Sequence, residues 1–105
     1  MIESDWRKFR EMVPRLRERY LADRNARLAA MLVNPGKNET QRFWDAMEEM
    51  ETEAKILRQC LDGHSRSKMS LYIFMMIRAG MLTKDDAAVF SADLQNEISH
   101  AFEER

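Results

Sequence analysis

The sequence predicts an all-α fold: a four-helix antiparallel bundle with a long first helix kinked at Pro14 and a short, apolar third helix. Three observations carry that expectation. Apolar side chains recur at alternating intervals of three and four along most of the chain, which is the spacing of a helical face. Only three glycines and two prolines interrupt 105 residues, so turns are few and elements long. The stretch "LYIFMMI", Leu71 to Ile77, strings together seven side chains that avoid water. A helix that is apolar all round is one that its neighbours surround.

The first helix opens near Ser4 or Asp5, either of which suits an N-cap. Its apolar stripe runs through Trp6, Phe9, Val13, Leu16 and Tyr20, then drifts to Leu28, Met31 and Leu32 before "NPGK" at Asn34–Lys37 ends it. Proline in a helix interior removes one backbone hydrogen bond and crowds the preceding turn, so a kink or a join between two helices is expected around Arg10–Pro14. The second helix spans Glu39 to Asp62, capped by Asn38 or Thr40 and stopped by Gly63. Phe43, Met47, Met50, Ala54, Leu57 and Leu61 form its inner stripe. The third helix follows a cap at Ser65 or Ser67 and runs to Ala79, with Gly80 closing it. Thr83 caps the fourth, Asp85 and Asp86 complement its dipole, and Ala87, Phe90, Leu94, Ile98 and Ala101 or Phe102 face inward. With no linker or low-complexity tract, residues 1–105 form a single helical domain, large enough to bury about two thirds of its unfolded surface.

Composition bounds the function. Net charge is −1, without the basic excess of a chain whose whole surface attracts nucleic acid or anionic lipid. Cys60 is the one cysteine, so no internal disulfide forms. The start "MIESDWRKF" lacks the apolar run of a secretory signal, and "LYIFMMI" is far shorter than the ~20 residues that cross a bilayer. A cytoplasmic protein with no membrane partner is expected.

Charge is nevertheless segregated. From Ser4 to Asn34 there are eight basic and four acidic residues, a balance of +4; from Asn38 to Asp62 there are three basic and seven acidic, a balance of −4. A short connection makes these helices antiparallel neighbours, which sets the basic face of the first beside Glu48, Glu49, Glu51 and Glu53 of the second. Arg10, Arg17 and Arg24 recur every seven residues, and with Arg66 and Lys68 of "GHSRSK" they are the candidates for binding phosphate or another anion. Glu11 and Glu18 interrupt the row, and no helix-turn-helix is recognisable.

Cys60, His64, Glu97 and His100 are the candidate metal ligands, since the ends of the second and fourth helices meet in an up-down bundle and sulfur, imidazole and carboxylate suit zinc. A buried cysteine and two surface histidines explain the same residues without a metal, and no cofactor is expected. No glycine-rich phosphate loop, nucleophile elbow or Cys-His pair with an orienting group marks an enzyme.

What remains is binding between helices. A bundle of four helices leaves one side of each wet, so a fully apolar third helix is either covered from two sides by the fourth helix and the kinked first or gives its leftover face to a second copy of the chain, a two-fold homodimer being the commonest closed assembly. Trp44, Tyr72, Phe74 and Met75 are the candidate interface residues, among nine methionines suited to adaptable contacts. The expected function is a non-enzymatic, self-associating protein–protein interaction module. A nucleic-acid or polyanion binder using the arginines of the first helix is the alternative.

Overall fold

The computed structural model describes residues 3–103. It is all-helical, with no strand among those residues: α1 (Glu3–Leu32), α2 (Glu39–Leu61), a 3-10 turn (Arg66–Lys68), α3 (Met69–Arg78), α4 (Lys84–Ala87) and α5 (Ala92–Glu103). Five α-helices replace the expected four. The break falls at Ala88–Ser91, where the Asp5 carboxylate reaches across from α1 to accept the Ser91 N–H (2.8 Å) and hydroxyl (2.6 Å). Ser91 Oγ in turn accepts the Leu94 N–H at 3.2 Å, so a new helix starts there. Asp5 is therefore not the cap of α1. It sits within the first turn, buried, and anchors the start of α5.

α1 continues from Glu3 to Leu32 without dividing at Pro14. Pro14 lies on the exposed side, where water can serve the carbonyl that loses its partner. The 3-10 turn, rather than a serine side-chain cap, introduces α3: Ser65 occupies the cap position without a side-chain hydrogen bond. Other boundaries follow the chemistry read from the chain. Asn38 and Gln41 form a reciprocal capping box at α2, and Thr83 and Asp86 form another at α4. Gly63 and Gly80 adopt φ of 75° and 77°, the left-handed conformation that ends a helix at little cost only when no Cβ is present.

The core gathers at one end. Phe9, Met12 and Leu16 of α1, Cys60 of α2, Ile73, Met76 and Ile77 of α3, Met81 and Leu82 of the following turn, and Leu94 and Ile98 of α5 are buried together. α3 is thus enclosed on most sides by its own chain, although Leu71 points outward and Tyr72, Phe74 and Met75 are half-buried. The remainder of α1 and α2 extends beyond this head as a two-helix arm. The dimensions of 52 × 26 × 19 Å and radius of gyration of 16.3 Å record that extension; a compact chain of this length has about 13 Å.

Candidate functional site

Two seams run along α2, and they differ in character. The inner one faces α1 and consists of Ala46, Glu49, Glu53, Ile56 and Cys60, at intervals of three and four. The other is the apolar series beginning at Phe43, which the sequence places inside. At 100° per residue the two lie roughly a quarter turn apart, and in the arm the structure turns the apolar one outward. Phe43 is 52% exposed, Trp44 60%, Met47 36% and Met50 51%, while Ala54, Leu57 and Leu61 nearer the head are half-buried. Leu32 and Val33 at the tip are also exposed, at 48% and 69%. Phe43 and Trp44 meet edge to face at 4.9 Å.

Charge explains the rotation. Tyr20 donates its hydroxyl to Glu53, Arg24 Nε approaches the same carboxylate at 3.3 Å, and the Arg24 guanidinium stands 4.5 Å from the Tyr20 ring. One turn further out Arg27 reaches Glu49 at 3.5 Å. Burial pushes the Tyr20 phenol up, and its hydrogen bond to Glu53 pushes in the same direction. α1 therefore selects the acidic face of α2, leaving Leu28 and Ala46 as the buried apolar contacts of the arm. Of the four glutamates expected beside the basic helix, Glu49 and Glu53 are engaged. Glu48 and Glu51 are exposed and make no ion pair among the described residues.

The other buried charges are built into the fold. Arg15 (3.1 Å) and Arg19 (2.5 Å) close on Asp86, which also accepts the Thr83 N–H and hydroxyl. Burial alone would raise the Asp86 pKa, but the hydrogen bonds from Arg19, Thr83 and Arg15 outweigh it and hold the carboxyl well below the usual carboxylate range. Arg19 also donates to the Met81 carbonyl at 3.0 Å, fastening the turn after α3 to α1. Sequence spacing does not reveal these long-range pairs. The only local signal is Asp86 three residues after Thr83, which marks the capping box but not the two arginines that share it.

The anion candidates scatter. Arg24 is spent on Glu53 and Asp23, Arg17 lies beside Glu18, and Lys68 belongs to the 3-10 turn. Arg10 and Arg66 do converge, 5.8 and 5.9 Å from the Trp6 ring, but Glu3 pairs with Arg66 at 2.7 Å and Glu11 shares the same shallow surface. The four metal candidates form no ligand set: among the described residues no group of three or more His, Cys, Asp or Glu side chains is placed to hold an ion. His64 Nε2 donates to the Cys60 carbonyl at 2.7 Å and its ring packs between Phe9 and Tyr72, while His100 pairs with Glu103 on the surface. Burial raises the Cys60 thiol pKa.

Of the four interface candidates, Trp44 is exposed, whereas Tyr72, Phe74 and Met75 pack against the core of their own chain. Phe43, Met47 and Met50, assigned to the interior by their spacing, form the open apolar face instead. No helix among the described residues is long and apolar enough to cross a membrane. Comparison of the chain with protein-family models, with curated proteins and with solved structures found no match in any of the three.

Proposed function

We propose that this protein is a non-catalytic, self-associating interaction module whose contact surface is the outer face of the α2 arm. The observation that carries this reading is the exposure of Phe43, Trp44, Met47 and Met50 on consecutive turns of one helix. Single exposed apolar residues are ordinary, but a contiguous patch marks a contact surface, and Trp, Phe and Met are enriched at such surfaces. The site moves from α3 to α2 because α3 finds most of its cover within the chain. Binding rather than catalysis is supported by the buried titratable groups, since Asp5, Glu53 and Asp86 are each held by hydrogen bonds that tie separate segments together. A reducing cytoplasmic setting fits the buried, lone Cys60 thiol.

Light scattering after size exclusion tests the reading. At tens of micromolar the wild type is expected to show twice the chain mass, and Phe43→Glu with Met50→Glu to show the single chain mass, both with the same helical circular dichroism. These positions are exposed, so unlike Phe74 they can be charged without opening the core. A wild-type monomer at that concentration overturns the proposal.

A further inference from the structure

Resting on that reading, we infer that the arms of two copies pair side by side with their tips at the same end, α2 of each lying against α1 of the other. The occupant of the open face is thus a second copy of this chain, and the product is an intermolecular four-helix bundle flanked by two heads. Three observations support it. The first is area. A specific interface takes about 800 Å² from each partner, whereas four aromatic and methionine side chains, each about half exposed, offer roughly 400 Å². Contact between the two α2 stripes alone is too small, so the partner's α1 must contribute.

The second is what the arm lacks. Its inner seam is largely polar, built on Tyr20, Arg24, Arg27, Glu49 and Glu53. A helix must bury an apolar stripe against another element to be held in place, and in the arm that stripe faces solvent. Two arms face to face give each helix two neighbours, the usual state in a four-helix bundle.

The third is charge. Within the arm, Leu21–Leu32 of α1 holds two basic residues and one acidic, a balance of +1, and Glu39–Glu53 of α2 holds one basic and six acidic, a balance of −5. Around the bundle, the order α1, α2, partner α1, partner α2 alternates sign at every contact. The other order sets the two acidic helices side by side, with Glu48 and Glu51 of each chain, which have no ion-pair partner among the described residues, approaching their like. Like charges across an interface select against that arrangement. Because neighbouring helices in such bundles run antiparallel, a partner α1 beside α2 must run the same way as the chain's own α1. That brings the two tips together.

Spin labels at Thr40→Cys, beside the tip, and separately at Asp62→Cys, beside the head, test this by pulsed dipolar spectroscopy. Both positions are exposed, and Cys60 is buried and withheld from the label. Neighbouring helices about 8–10 Å apart set the two α2 axes, across the diagonal of the bundle, about 11–14 Å apart, and both label pairs fall within about 25 Å in the arrangement inferred. In the opposed arrangement the two separations along the axis add to about 66 Å at 1.5 Å per residue, so one of them exceeds about 33 Å. A dimer by mass with both distances short supports the inference. A dimer with one long distance overturns it and leaves self-association standing. A monomer by mass, with no dipolar coupling, overturns both and assigns the face to a different protein.

Discussion

Phe9→Ala is expected to cost about 4 kcal/mol of folding stability, a large share of the 5–15 kcal/mol typical of a domain this size. Phe9 is fully buried, and its ring lies 6.0 Å from that of Trp6 and 5.0 Å from that of His64. It touches the region where α1 meets the turn leading into α3, so shortening it opens a cavity within the packed head. The cost has two parts, lost transfer energy and the remaining void. Urea denaturation at one fixed protein concentration reads it. The same substitution at Phe43 removes an aromatic ring that is half in water, and is expected to cost about 1 kcal/mol or less under conditions where the protein is monomeric. Equal losses at the two positions would contradict the division into a packed head and an open arm face.

Asp86→Ala is expected to cost about 2–4 kcal/mol at neutral pH. The carboxylate completes the capping box of α4 by accepting the Thr83 N–H, worth about 1 kcal/mol, and accepts charged hydrogen bonds from Arg15 and Arg19, worth about 1.5–3 kcal/mol in general. Both arginines are about half exposed and can return to water, which limits the loss. The pH dependence follows from the lowered carboxyl pKa. The folded state holds this group ionised below the ~3.9 at which the unfolded chain takes up the proton. The stabilisation is therefore complete above that value and fades as pH falls toward the folded pKa. Denaturation at pH 7 and pH 3 is expected to show a smaller gap between wild type and Asp86→Ala at the lower pH. An unchanged gap would show that the ion pairs do not carry the effect.

Features decided by local chemistry were legible in the chain. Asn38 and Thr83 cap helices, Gly63 and Gly80 end them, and "NPGK" turns α1 into α2 because short-range hydrogen bonding and left-handed backbone conformations depend on a few adjacent residues. The Asp5–Ser91 hydrogen bonds, between residues 86 apart in sequence, and the Lys8 bond to the Val89 carbonyl hold the break in the last helix, and no periodicity announces them. Pro14 was a strong local signal overridden by its place on the wet side of α1.

The candidate surface was half legible for a related reason. The apolar stripe of α2 was visible, but its direction was not. Apolar periodicity identifies the face that seeks cover without saying whose cover it finds, and in the arm the arginines of α1 claim the acidic face of α2 first. Likewise "LYIFMMI" raised the demand for enclosure in α3, and of the two covers the sequence allows, its own first and last helices or a second copy, α1 and α5 of the same chain supply most of it.

Hydrogen exchange followed by mass spectrometry, at protein concentrations from below one micromolar to hundreds of micromolar, tests self-association through the arm where it acts. Amides of the arm, from Leu21 to Glu53, are expected to become more protected as concentration rises, while those of the head around Ile73 and Ile98 keep their protection. Arm exchange that stays the same across the whole range would contradict it.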